Sequence, residues 1–216
     1  MQRFDLIIFD MDGLLIDSER IAYEQFIATA DEFGIEVSHE AYLECIGANA
    51  RRVDEILRAV VAGLVDFAEF KAKWRKRYKF RIGNHPIPVK DGVNELLRHI
   101  KANGQFTVVA TSTETPQAEL KLGNAGLLGQ FDAIVGGEQV VRGKPAPDIF
   151  LKAAELFQAT PARCLVLEDS INGVNAAIAA GMRVVQVPDL VDPAPDSERK
   201  GVIVLDSLRE VASYSF

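Results

Sequence analysis

The chain has 216 residues, 48% of them hydrophobic and 25% charged, and a formal net charge of −7. That is enough for one sizeable core plus a smaller appended unit, and the acidic balance argues against general nucleic-acid binding. No apolar run reaches the length of a membrane span, and Cys45 and Cys164 are far apart without metal-type spacing, so the expected setting is the cytoplasm with both thiols reduced.

Leu6 to Phe9 is a short, fully apolar run, the pattern of a strand buried on both faces of a sheet. Asp10 and Asp12 follow two residues apart, so on extended backbone they point the same way, and Gly13 lets the chain leave the strand. An Asp-x-Asp-Gly stretch by itself also suits an ordinary turn. From Ser18 the period becomes helical. Ser18 is placed to cap a helix with Glu19 in its first turn, and Tyr23, Phe26, Ile27, Ala30 and Phe33 form its stripe up to Gly34. Ser38 starts a second, shorter helix through Leu43. Asn49 starts a third with Val53, Ile56, Leu57, Val60, Val61 and Leu64 on one side, and a fourth spans Phe67 to Arg81. No strand pattern interrupts this stretch, which reads as a separate all-α unit. The fourth helix carries Lys71, Lys73, Arg75, Lys76, Arg77, Lys79 and Arg81. They form either a solvated face opposite Phe67, Phe70, Trp74 and Tyr78 or a patch that attracts an anion.

Pro86 and Pro88 make residues 84–89 an extended connector. Beyond it strands and helices alternate. Asp91 caps a helix bearing Val93, Leu96, Leu97 and Ile100, and Phe106 to Ala110 is a buried strand ending in Thr111-Ser112-Thr113. Pro116 suits a first helical turn. Asp132 to Val135 is a short strand, and Gly143-Lys144-Pro145 precedes a helix that begins at Pro147. Leu165 to Leu167 is a strand ending in Glu168-Asp169-Ser170, followed by a helix over Asn172 to Ala180, and Val184 to Val187 and Val202 to Leu205 supply the last strands. The alternation implies a mostly parallel, Rossmann-like α/β sheet flanked by helices, with the all-α unit inserted after its first strand.

Four strand ends therefore carry polar chemistry: Asp10 and Asp12, Thr111 and Ser112, Lys144, and Glu168 and Asp169. In such sheets the crevice beyond the carboxyl ends is the ligand site. Carboxylates at roughly 5 Å repel by about 3 kcal/mol per pair at an effective dielectric near 20. A hard cation such as Mg²⁺ removes that penalty. Lys144 and the Thr111 hydroxyl suit phosphate oxygens. A carboxylate attacks phosphorus and a second carboxyl moves the proton, so the chemistry implied is phosphoryl transfer.

The stretch from Asp10 through Asp12 to Asp17-Ser18, with Thr111-Ser112, Lys144-Pro145 and Glu168-Asp169-Ser170, resembles the four motifs of the haloacid dehalogenase superfamily. The placement of the helical insert is similar to the branch that contains β-phosphoglucomutase and small sugar-phosphate phosphatases. The resemblance implies a core of residues 1–16 and 87–216 and a helical cap of residues 17–86. It makes Asp10 the nucleophile and Asp12 the acid/base. Mg²⁺ would be held by Asp10, the main-chain carbonyl of Asp12, Asp169 and Glu168, and phosphate by Thr111, Ser112 and Lys144. Members that cleave C–Cl or C–P bonds lack a carboxylate at the Asp12 position, so those reactions are not expected. Mutases of the branch carry a His where Ala22 stands, and their phosphate-gripping Arg is in a different register from Arg51 and Arg52. The expectation is accordingly a Mg²⁺-dependent phosphatase using an aspartyl-phosphate, with Arg51 as a substrate contact from the cap. Its partner is a small phosphorylated metabolite, not nucleic acid or a membrane, and the chain is expected to act as a monomer. A sugar-phosphate isomerase and a non-catalytic phospho-acceptor of the response-regulator kind are the alternatives.

Overall fold

β1 (Leu6–Phe9) is apolar at every position and buried along its whole length, which requires a place in the middle of a sheet covered on both faces. In the computed structural model, which describes residues 4–38, 42, 50–61, 63–196 and 201–213, it has that place. Three helices follow it, α1 (Ser18–Glu32), α2 (Ala50–Val60) and α3 (Phe67–Asn84), with no strand between them among the described residues. The rest alternates: α4 (Val93–Ala102), β2 (Phe106–Ala110), α5 (Thr115–Asn124), β3 (Ala133–Val135), α6 (Asp148–Leu156), β4 (Cys164–Glu168), α7 (Ile171–Ala179), β5 (Arg183–Gln186), β6 (Ile203–Val204) and α8 (Leu208–Ser213).

The six strands are parallel, in the order β3-β2-β1-β4-β5-β6. Leu6 stands opposite Phe106 of β2 and Cys164 of β4, so the residues after Phe9, Ala110 and Glu168 leave the sheet side by side. Strand order reverses about β1, and the crevice such a reversal opens lies above it. The period-two alternation of β1 divides the core. Ile7 and Phe9 pack with Leu96 and Ile100 of α4, Leu122 of α5 and Leu208 of α8, while Leu6 and Ile8 pack with Phe150 of α6 and Ala177 of α7. A third cluster, with Phe26, Tyr42, Leu57 and Phe70 at its centre, lies within the helical stretch, although Ile21 of α1 and Ile82 of α3 belong to the main core.

The two chain crossings between helices and sheet pair with each other. Asp17 N donates to Pro88 O at 2.9 Å and Lys90 N to Leu15 O at 3.0 Å, and Ile16 bridges Val89 antiparallel.

Several local expectations are corrected. Ser18 does not cap α1; it is the first helical residue, buried, with its hydroxyl turned to Asp12. Asp91 does not cap α4, whose cap is Gly92 at φ +84; the Asp91 carboxylate accepts from Arg209 instead. There the Cβ of any other residue would come within 2.2 Å of Arg209 N, and the positive φ also favours glycine. Leu64 lies past α2 and is exposed. α3 runs three residues beyond Arg81, and Asp66 caps it by accepting from Glu69 N at 2.9 Å. The helix expected over Ser38 to Leu43, Asn49 and Cys45 fall outside the described residues, apart from Ser38 and Tyr42 themselves. Cys164 is a free, buried thiol.

Candidate active site

Asp10 stands at the end of the central strand, with Thr111 to Thr113 beyond β2 on one side and Glu168 and Asp169 at the end of β4 on the other. Lys144 reaches in from the loop before α6. Its ammonium donates to Asp10, to Glu168 Oε1 at 2.7 Å and to the Ala110 carbonyl at 3.1 Å. Its side chain is only 6% exposed. Burial alone would lower the Lys144 pKa, but Asp10 and Glu168 outweigh it and hold the lysine charged. The sequence assigns Lys144 to phosphate; in this structure its three contacts are carboxylates and a carbonyl.

Carboxylate oxygens of Asp10, Glu168 and Asp169 lie within 4.8 Å of one another. Burial, more than Glu168 and Asp12, pushes the Asp10 carboxyl up to about 7 in spite of Lys144. Asp169 is raised well above the usual range by burial, then by Glu168 and Asp10. Three crowded acids with oxygen donors alone are the donor set of a hard divalent cation. Two glycines are packed directly against these carboxylates. A Cβ at Gly13 would come within 2.3 Å of Asp169 Oδ2, and one at Gly173 within 1.6 Å of Glu168 Oε1. Glu168 has little freedom to step aside, since Ser170 N and Oγ donate to its Oε2 at 2.8 and 3.0 Å.

Asp12 has a different environment. Its carboxylate accepts from Ser18 Oγ, from Thr113 Oγ1 at 2.7 Å and from Lys121 Nζ at 2.7 Å. Burial pushes its pKa up, but the Lys121 charge and these hydrogen bonds outweigh burial and hold it below the usual value. Lys121, Thr113 and the partnership of Ser18 with Asp12 were missed in the sequence. The signal for Lys121 was present: Ala118, Lys121 and Leu122 share one face of α5, and a lysine in an apolar stripe asks for a buried partner. Thr111 is buried, its hydroxyl accepting from Thr113 N at 3.1 Å, and Ser112 is exposed.

Asp10, Asp12, Thr111 to Thr113, Lys144, Asp169 and Ser170 line a cleft of about 630 Å³, with Lys121 behind Asp12, and the opposite wall comes from the helical stretch: Glu19, Ala22, Tyr42, Asp54, Lys71, Trp74, Arg75 and Tyr78. Burial pushes Glu19 up to about 7, with Asp12 adding to the effect. Lys71 pairs with Asp54, and Lys73 and Arg77 with Glu32, so much of the basic face of α3 is spent within the helical stretch. Trp74 is both packing and wall: it stacks edge-on against Phe26 and donates Nε1–H to Ala22 O at 3.0 Å. Arg51 lies on α2, and its side chain is outside the described residues.

A parallel sheet in this strand order, with acids and a lysine gathered above its central strand, defines an α/β enzyme of the Rossmann-like class. Comparison with known proteins narrows the class. The chain belongs to the haloacid dehalogenase-like hydrolases, whose family model matches residues 4–181. A phosphorylated carbohydrates phosphatase of Thermotoga maritima is 32% identical over 178 residues, covering 82% of this chain and 82% of that protein. The fructose-1-phosphate phosphatase YqaB of Escherichia coli is 31% identical over 189 residues, 86% of this chain and 97% of that one. The solved structure of a family hydrolase from Deinococcus radiodurans, with bound phosphate and sodium, matches at a TM-score of 0.84 and 29% identity, over 98% of this chain and 94% of that chain.

Proposed function

We propose that the chain is a Mg²⁺-dependent phosphatase of a small phosphomonoester, a sugar phosphate or a similar metabolite, working through an aspartyl-phosphate. The carrying observation is that Asp10, Asp169 and Glu168 converge beside Lys144, while Asp12 stands apart with its own hydrogen-bond donors. Phosphatase relatives that act on phosphorylated carbohydrates and fructose 1-phosphate support the substrate class. Residues 1–16 and 87–216 form the catalytic core in this reading, and residues 17–86 a cap.

Asp10, Asp169, Glu168 and the main-chain carbonyl of Asp12 would hold the ion. When bound, Mg²⁺ neutralises the acids and draws charge from phosphate oxygens. A carboxylate oxygen of Asp10 attacks phosphorus as the substrate P–O bond breaks. The leaving oxygen takes its proton from Asp12, whose carboxylate, held low by Lys121, has first to gain that proton as the substrate binds. Water then attacks the phosphorus, Asp12 accepts the water's proton, and the bond to Asp10 breaks to release inorganic phosphate. Lys144 holds Asp10 in line and offsets charge on the transferring group, with Thr111 and Ser112 at its rim. Ala22 lines the cleft at the place where the mutases of the resembling branch carry a His, which supports hydrolysis over return of the phosphoryl group to the sugar.

The test is phosphate release from a panel of phosphorylated metabolites. Activity is expected with Mg²⁺, lost in EDTA and restored by the ion, and Asp10→Asn is expected to abolish turnover with the fold intact. Release unaffected by Asp10→Asn would sink the mechanism. Conversion of a sugar 1-phosphate into its 6-phosphate would replace hydrolysis by isomerisation.

A further inference from the structure

Lys121 is buried where a leucine or methionine would pack. It lies on the inner face of α5 between Ala118 and Leu122, with its side chain 7% exposed. Withdrawing an ammonium from water costs several kcal/mol unless a partner compensates, and the partner is Asp12, whose Oδ1 accepts from Nζ at 2.7 Å. Burial pushes the lysine down, but Asp12 and Tyr78 together outweigh it, so it stays charged. Lys144 offers no substitute, because its donors go to Asp10, Glu168 and the Ala110 carbonyl. Each of the two acids thus has an ammonium of its own.

Lys121 also stands at the joint between sheet and helical insert. Its Nζ lies 5.6 Å from the centre of the Tyr78 ring on α3. One turn further along α5, Asn124 donates to Ile82 O at 2.6 Å and accepts from Ile87 N at 3.0 Å. Asp12 lies beyond the end of β1, in a turn closed by Gly13 N donating to Ile16 O, so its carboxylate is held by the side chains that reach it. Those are Ser18 from the insert, Thr113 from the loop after β2, and Lys121.

We propose that Lys121 is a positioning residue for proton transfer: it fixes the Asp12 carboxylate in the cleft and, through Tyr78, ties that orientation to the seating of α3. The proposal rests on the phosphatase reading. Among the site's acids and phosphate contacts Lys121 reaches only the Asp12 carboxylate, not its main-chain carbonyl and not Asp10, Glu168, Asp169, Thr111, Ser112 or Lys144, so its loss leaves binding in place and removes the acid/base step. Such a step contributes 10²- to 10⁴-fold.

The experiment compares Lys121→Met with the native protein on an alkyl phosphomonoester and on p-nitrophenyl phosphate, in Mg²⁺. On the alkyl ester kcat is expected to fall about 100-fold or more, with KM within about threefold. Nitrophenolate leaves without a proton, so p-nitrophenyl phosphate should give a burst of about one equivalent per enzyme followed by slow turnover. Lys121→Arg should recover most of the lost rate, and adding Lys121→Met to Asp12→Asn should change nothing further. Native kcat in Lys121→Met, or a loss carried by KM alone, overturns the proposal and leaves the phosphatase reading standing. Absence of turnover by the native protein on every phosphomonoester overturns both. Should Lys121→Met not fold, Lys121→Gln, which keeps an N–H donor, carries the same test; if neither folds, the residue is structural and the proposal is wrong.

Discussion

Burial pushes the Asp10 carboxyl up to about 7 from an ordinary 3.8, Asp169 is raised as well, and Glu19 is pushed to about 7, while Asp12 is lowered. The first three have one sign. A carboxyl whose folded pKa exceeds its unfolded value keeps a proton that the unfolded chain has already released, so its native state loses ground as pH rises between the two values. For Asp10 that window runs from about 4 to about 7. Asp12 contributes stability that is lost only below the usual carboxylate range, outside this window. Without a divalent ion, the urea midpoint is therefore expected to fall from pH 5 to pH 7.5, and added Mg²⁺ is expected to reverse most of the fall by binding the ionised acids. A midpoint in EDTA that rises over that interval would contradict the buried acid cluster. At this scale the acids were legible because they follow apolar strand runs. Thr113 was not, because its partner comes from elsewhere in the chain, and Lys121 showed only as a lysine in an apolar stripe, with nothing in α5 to name Asp12 as its partner. Ser18 misled because a serine before a helical stripe is a common cap, and only the tertiary approach of Asp12 takes its hydroxyl away.

Phe26 of α1 is fully buried, with ring centres 5.1 Å from Tyr42, 5.3 Å from Phe70 and 5.4 Å from Trp74. Truncating such a side chain costs about 3–5 kcal/mol, a large share of the 5–15 kcal/mol that holds an ordinary domain. The loss should fall on the helical insert, whose cluster is largely separate from the two cores flanking the sheet. Trp74 is the chain's sole tryptophan and lies in that cluster, so its fluorescence reports on the insert. Phe26→Ala is expected to bring the Trp74 transition to much lower urea while the far-ultraviolet circular dichroism of the sheet unfolds at a higher concentration. A single coincident transition would mean that insert and core fold as one unit. Elements were read well where one face is buried, as with the stripe of α1 and the strands beside β1. Their ends were read poorly. A helix end is decided by single hydrogen bonds and backbone angles, such as the Ser18 hydroxyl donating to Asp12 rather than capping α1, or Gly92 at φ +84 capping α4 in place of Asp91.

At the scale of the molecule, strand-helix alternation carried the parallel sheet, and the absence of strand pattern from Ser18 onward carried the insert. What periodicity does not encode is how the insert sits on the sheet. Here it rests on the paired crossings at residues 15–17 and 88–90 and on α5 through Asn124 and Lys121. The paired crossings hold two main-chain hydrogen bonds and one bridge, a narrow connection about which packed units can rotate. The cleft wall they carry is polar at Glu19, Asp54 and Arg75 and aromatic at Trp74 and Tyr78, while the opposite wall holds the acids, so a phosphorylated ligand would touch both. A ligand with more contacts in the shut arrangement shifts the population toward it. Labels on the exposed positions Ala59 of α2 and Glu155 of α6, both replaced by Cys in a Cys45→Ser background with buried Cys164 left in place, would follow that motion. Their separation is expected to shorten or narrow in distribution when Mg²⁺ and a phosphate mimic are added together, and to respond less to either alone. A distribution indifferent to all three additions would make the insert a fixed wall, and substrate choice would then rest on the standing shape of the cleft.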